Sequence, residues 1–178
     1  MPATTVLVTG ASGFIGCHCV LDLLNHGYRV RGSVRDLGRT GALEKTLSTY
    51  GADTSQLDWV AASLTEPNSW SAAVDGCDAI FHVASPVPTI QPKNPDDVIE
   101  PARQGTLNVL EAAASQGINR VVLTSSVTAI LGGISDDRVY TGEDWSDPSD
   151  PDMIPYAISK TVAERCAWDF CQSKGISL

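Results

Sequence analysis

The sequence predicts an α/β fold, a doubly wound parallel sheet with helices on both faces. Three observations carry that prediction. Short β-branched apolar runs alternate with longer segments of helical period. Five such strand–helix units follow one another, which calls for parallel strands joined by right-handed crossovers. The first unit turns through a glycine-rich segment, Gly10 to Gly16, between its strand and its helix.

The elements follow in order. Thr4 to Val8 reads as the first strand. Phe14 to Asn25 has helical period, with Ile15, Cys19, Leu23 and Leu24 near one face, and Gly27 stops it. Tyr28 to Val34 is strand two, Ala42 to Tyr50 a helix, Leu57 to Ala62 strand three, Asn68 to Val74 a short helix and Asp78 to Val83 strand four. Asn94-Pro95-Asp96-Asp97 combines a cap, an early proline and two acids, so it starts a helix. That helix runs to about Gln116, with an expected kink at Pro101. Arg120 to Thr124 is strand five, and Pro155 to Lys174 is a long helix closed by Gly175. The stretch from Leu131 to Ile154 reads as a long loop, and loops of that length are usually functional or mobile.

Composition narrows the function classes. The chain has 178 residues, 43% hydrophobic and 19% charged, which suits one globular domain with its own core. A formal net charge of −9 argues against nucleic acid and anionic membrane surfaces as partners. Neither a signal peptide nor a membrane span is expected, so the expected location is the cytoplasm. The five cysteines are odd in number and scattered, which reads as free thiols, and no metal site is expected.

Thr9-Gly10-Ala11-Ser12-Gly13-Phe14-Ile15-Gly16 has the spacing of a phosphate cradle. A tight turn needs a residue tolerant of positive φ, the backbone must come close to a pyrophosphate, and the helix must pack near the strand. The helix N-terminus then offers unpaired N–H groups and a positive dipole end to the phosphates. The strand before, the helix after and the βαβ frame around it make this a Rossmann-type dinucleotide site. Strand two ends Val34-Arg35-Asp36, where the adenosine ribose is met. An acid there suits a free 2′-hydroxyl and an arginine suits a 2′-phosphate. Arg35 comes first and favours NADP(H), with Arg39 as an aid, while the neighbouring Asp36 points the other way.

Strand five ends Thr124-Ser125-Ser126, at the edge where such folds place ligands. Tyr156 and Lys160 lie four apart near the start of the last helix and share a face. An ammonium near a phenol favours the phenolate, which eases proton exchange with a carbonyl oxygen. A serine hydroxyl can hold that same oxygen. His82, at the end of strand four, reads as a packed or cofactor-lining residue, and the four tryptophans as packing residues, with Trp145 a candidate for a substrate mouth.

These residues together resemble the extended short-chain dehydrogenase/reductase family. The resemblance rests on TGASGFIG (9–16), VRGSVRD (30–36), GCDAIFHVASP (76–86), GTLNVLEAA (105–113), RVVLTSS (120–126) and YAISKTVAE (156–164). It is strongest toward the branch of dihydroflavonol reductases, cinnamoyl-CoA reductases and microbial aldehyde or ketone reductases. It implies a catalytic triad of Ser126, Tyr156 and Lys160, with Ser125 as the alternative to Ser126. It also implies NADP(H) contacts from Gly10, Ser12, Gly13, Phe14, Ile15, Gly16, Arg35, Ser63, Leu64, Val83, Ala84, Ser85, Thr124, Tyr156 and Lys160. The implied reaction is reversible hydride transfer to an aldehyde or ketone, with a small carbonyl or alcohol substrate and a second copy of the chain as candidate partners. Two alternatives stay open: a sugar-nucleotide epimerase or dehydratase that keeps NAD bound, and a non-catalytic redox-sensing regulator.

The chain departs from the family's pattern in places. Ser63 stands where an adenine-contacting aspartate is common, Ala102 where many members have asparagine, and Asp152-Met153-Ile154-Pro155 replaces the aromatic, cysteine-containing segment of the cinnamoyl-CoA reductases. Residues 1–178 are expected to be the dinucleotide-binding domain, ending as strand six begins, with the substrate domain missing.

Overall fold

The computed structural model describes residues 4–90, 92–133 and 137–178. Strand β1 (Thr5–Thr9) leads into α1 (Phe14–Asn25), β2 (Arg29–Val34) into α2 (Thr40–Thr49), β3 (Leu57–Ala61) into α3 (Trp70–Val74) and β4 (Ala79–His82) into α4 (Asp96–Ser115). Strand β5 (Val121–Leu123) is followed by the one-turn helix α5 (Thr128–Leu131) and by α6 (Pro155–Lys174). The strands pair in parallel in the order β3-β2-β1-β4-β5. The chain therefore steps outward from β1 to β3 and returns to place β4 on the other side of β1. That reversal opens a crevice at the carboxyl ends of β1 and β4.

Strand alternation divides the core into two. Val6, Val8 and Val30 pack with Val20, Leu23, Leu24 and Leu47 from α1 and α2. Leu7, Ile80 and Val121 pack on the opposite face with Trp70, Val109, Leu110, Ala113 and Ala167 from α3, α4 and α6. Covering both faces explains why Val6, Leu7 and Val8 in the middle of β1 are apolar in a row and do not alternate with polar residues. The register sets Thr9 beside His82 at the carboxyl edge.

The structure corrects the expected face of α1. Its buried residues are Gly16, Val20, Leu23 and Leu24, and Ile15 is 52% exposed. The reason is steric, because Gly16 has to lie against the turn, and that turns Ile15 outward. The helix α5 was not expected, since four residues are too few to show a period. Helix α4 starts at Asp96, whose N–H is capped by the Asn94 side chain at 3.2 Å, and it runs unbroken through Pro101. Helix α6 has the expected bounds, with Gly175 closing it at φ 68°.

The stretch expected to be a long loop is pinned at Ser146. The buried Ser146 Oγ accepts from the Gly132 N–H at 2.7 Å and donates to the Thr128 carbonyl at 2.9 Å, while the Ser146 N–H donates to the Ala129 carbonyl at 2.8 Å. Ser177 pairs in parallel with the β5 edge at Arg120, where strand six was expected to begin. The tryptophans divide. Trp70 is buried, Trp59 donates to Glu44 at 2.7 Å, and Trp145 lies under the Arg165 guanidinium at 5.2 Å. Trp168 is 47% exposed, so it is not a packing residue. Among the described residues no helix is long and apolar enough to cross a membrane.

Candidate active site

A cleft of about 780 Å³ lies at the carboxyl edge of the sheet. It is lined by Gly10, Ser12, Gly13, Phe14, Ile15 and Gly16 of the first turn, by Arg35 after β2, by Ser63 and Leu64 after β3, and by Val83, Ala84 and Ser85 after β4. The structure thus gathers twelve of the expected cofactor contacts on one surface.

Two glycines make the cradle. Gly10 has φ 64°, and a Cβ there would also lie 3.0 Å from the Cα of Ala84. A Cβ on Gly16 would run into the carbonyl oxygen of Gly10 and the Cα of Ala11, so only glycine lets α1 start this close to β1. No side chain caps α1, and its first turn carries no acid. Its leading N–H groups and positive dipole end are left for an anion in the cleft. A cradle that a single methyl would fill, beside an uncapped helix start, fits a pyrophosphate.

The end of β2 separates the two residues that the sequence left in competition. The Asp36 carboxylate accepts from the Gly38 N–H at 2.8 Å and caps a short turn over Leu37–Arg39. Arg35 is exposed and lines the cleft. Arg39 is not among the lining residues. After β3, the Asn108 amide of α4 donates to the Leu64 carbonyl at 2.7 Å and is itself held by Gln104 at 3.0 Å. This ties the Ser63-Leu64 segment to α4. The Ser63 N–H is taken by Ser69 Oγ at 3.1 Å, and its hydroxyl meets Thr65 Oγ1 at 3.3 Å.

Thr9 organises the end of β4. Its hydroxyl accepts from the N–H groups of Val83 at 3.0 Å and Ala84 at 2.9 Å, and pairs with His82 Nδ1 at 2.8 Å. His82 is fully buried, and burial, helped by the Lys160 charge, pushes it down to about 3. It is a packed, neutral histidine.

The expected catalytic residues are held mostly by their side chains. Lys160 is buried and donates to the Thr124 carbonyl at 2.9 Å. Burial pulls its ammonium below the usual lysine range, and the Glu164 carboxylate pulls the other way. Ser126 Oγ accepts from the Thr128 N–H at 3.3 Å and the Thr128 hydroxyl at 3.0 Å, leaving its own O–H to donate elsewhere. Ser125 instead donates to Glu164. The serine doublet therefore diverges, one residue toward α6 and the other toward α5. Tyr156 is half-buried in the first turn of α6, one turn before Lys160. Thr124 and Lys160 share a second, small cavity with Ala84 and Ser85, which joins them to the main cleft, whereas Ser126 and Tyr156 line neither cavity.

Thr9, Asn108 and Glu164 were not singled out from the sequence. Thr9 and Asn108 fall inside TGASGFIG and GTLNVLEAA with no spacing that announces a partner, whereas Glu164 ends YAISKTVAE four residues after Lys160, a spacing that could have pointed to it. Among the described residues no cluster of ligating side chains could hold a metal ion.

Residues 6–178 match the NAD dependent epimerase/dehydratase family. The chain is 39% identical over 179 residues to a dihydroflavonol 4-reductase of Arabidopsis thaliana, covering 97% of this chain and 46% of that protein. It is likewise 39% identical over 179 residues to cinnamoyl-CoA reductase 1 of Petunia hybrida, covering 97% and 51%. The structure of Gre2 from Candida albicans in complex with NADPH matches at a TM-score of 0.82 and 30% identity, covering 96% of this chain and 53% of that one. The chain spans about half the length of the curated relatives it matches. Sheet order, glycine cradle and sequence agree, and the chain belongs to the NAD dependent epimerase/dehydratase family.

Proposed function

We propose that this chain is the dinucleotide-binding domain of an NADPH-dependent reductase that transfers hydride to an aldehyde or ketone, reversibly with alcohol oxidation. The observation that carries the cofactor choice is at the end of β2. Asp36 accepts from the Gly38 N–H and does not line the cleft, whereas Arg35 does. An arginine suits a 2′-phosphate and offers it charge-assisted hydrogen bonds.

The residues divide the work. The N–H groups that open α1 bind the pyrophosphate, and Arg35 binds the 2′-phosphate. The bound dinucleotide supplies the hydride. Tyr156 holds the proton that goes to the carbonyl oxygen, and the Lys160 ammonium favours its release as phenolate. Ser126, with its O–H still to donate, holds the same oxygen and offsets its growing charge. The substrate is a small carbonyl compound or alcohol, the setting cytoplasmic, and a second copy of the chain is the candidate partner.

The test is cofactor titration by calorimetry. NADPH should bind more tightly than NADH, and Arg35→Ala should narrow the difference by roughly 1.5–3 kcal/mol. Equal affinities in the unmutated chain would overturn the assignment.

A further inference from the structure

We propose that Glu164 is a positioning residue: it is the half-buried counter-charge of Lys160 and the anchor that turns Ser125 away from the reaction, leaving Ser126 to face it. The inference rests on reading Lys160 and Ser126 as members of the reactive set.

Three features of the geometry point to Glu164. Lys160 and Glu164 are four residues apart on α6 and so share one face. Both line the same small cavity, with Thr124, Ser125 and Thr106 around it. Its volume of about 10 Å³ is close to the room one water needs, so both residues border one narrow space. Finally, Glu164 divides its oxygens, with Oε2 accepting from Ser125 and Oε1 accepting from the Trp168 indole at 3.4 Å. A carboxylate held from both sides stays where it is put, beside the lysine.

The charge matters because Lys160 is buried. Burial favours the neutral amine, and a neutral amine would not stabilise a phenolate at Tyr156. The Thr124 carbonyl accepts one N–H of Lys160 and brings no full charge. The other groups around the lysine do not supply an anion. His82 on β4 is neutral, α5 and the Thr124-Ser125-Ser126 segment carry no titratable side chain, and Tyr156 on α6 is the proton donor. On α4, Arg103 is engaged by Glu100 at 2.9 Å and lies beside Cys166. Glu164 is the group that opposes the effect of burial on Lys160. A carboxylate acts on the ammonium as a full charge, and charge–charge energy falls only as the inverse of distance.

The same carboxylate settles the serine doublet. Ser125 and Ser126 are adjacent, and an unanchored Ser125 could compete for the substrate oxygen or for Thr128. Its hydroxyl is instead committed to Glu164.

The experiment needs neither cofactor nor turnover. The chain has four lysines, so in protein labelled with carbon-13 lysine the Lys160 signal is assigned by its loss in Lys160→Arg, and its titration is followed by NMR. Glu164→Gln removes the charge and keeps an acceptor for Ser125. It should raise the acid dissociation constant of Lys160 at least about threefold. An unchanged or lower constant in folded protein overturns the proposal. If Glu164→Gln does not fold, Ser125→Ala serves, since it frees the carboxylate without removing it. The Lys160 titration midpoint should then stay level or rise, and a fall overturns the proposal. NADPH titration of the same samples separates the two ideas. Loss of cofactor binding in the unmutated chain strikes the proposed function, while the Lys160 result stands or falls by itself.

Discussion

The two ends of the site are built from different materials. The adenosine and pyrophosphate end is mostly backbone: a glycine at φ 64°, a helix start with no side-chain cap, and one strand-end arginine. The proposed reactive end is mostly side chain, namely Lys160 on the Thr124 carbonyl, Ser126 against Thr128, Ser125 on Glu164, and Thr9 against His82. Backbone sites are preorganised by the fold and fail all at once when a Cβ intrudes. Side-chain sites fail piecemeal, one bond at a time. Substitutions at the first end should therefore act on binding and folding together, and those at the second on turnover with binding spared.

The sharpest way to break that contrast is at Gly16. Gly16→Ala sets a methyl against the Gly10 carbonyl, so α1 must move away from β1. Stability should fall by about 1–3 kcal/mol and NADPH affinity by about a hundredfold or more, read by thermal melts and calorimetry. Normal binding would show that the cradle tolerates displacement and that the backbone is not its essential material. At the other end Tyr156→Phe keeps the ring and removes the proton. In any form of the protein that turns over a carbonyl, kcat should drop at least about a hundredfold while NADPH affinity holds. A near-normal rate would place the general acid elsewhere.

The same difference explains what could be read in the sequence. The sheet, α1, α6 and the cradle are legible because each depends on a pattern: apolar runs, a 3.6 period, glycines at fixed offsets. The adjacent Arg35 and Asp36 were ambiguous, because their roles depend on where each side chain points. The bond from Gly38 to Asp36 supports the proposed role of Arg35, and no spacing encodes it. Ile15 was placed on the wrong face because the period alone cannot say which stripe lies inward. Gly16 decides that by contact with Gly10. Thr9 and Asn108 were missed for a related reason, since each acts on a partner between 44 and 75 residues away in sequence, and the Ser125 partner of Glu164 lies 39 residues away.

A finer test separates two neighbours within the reactive end. Ser126→Ala should lower kcat about tenfold or more, because a donor to the growing oxyanion is lost. Ser125→Ala should lower it about threefold at most, because its hydroxyl is committed to Glu164 and not to the substrate oxygen. Steady-state kinetics on the pair decides between them. The reverse ranking would mean that Ser125 leaves Glu164 when substrate binds, and it would make this end more mobile than its hydrogen bonds suggest.

An effect on stability alone is expected where the two ends meet, at Thr9 and His82. The Thr9 hydroxyl already accepts two backbone N–H groups, so its single proton goes to His82 Nδ1, and the neutral imidazole carries its own proton on Nε2. That nitrogen is buried without a partner, and adding a second proton would place a cation beside Lys160. The folded chain therefore resists protonation down to about 3, whereas an unfolded histidine takes its proton near 6.5. Below that upper value the unfolded state binds a proton that the folded state refuses, so the contribution to stability is full above about 6.5 and is lost as pH falls toward 3. His82→Gln cannot titrate, and its unfolding free energy should fall less steeply with acid than that of the unmutated chain across this window. Thr9→Val should cost about 1–3 kcal/mol at neutral pH by stranding two N–H groups and Nδ1. Urea unfolding at several pH values measures both. If His82→Gln and the unmutated chain lose stability with equal slopes, the histidine is taking up its proton inside the folded protein, and the end of β4 is then held by something other than a neutral imidazole fixed by Thr9.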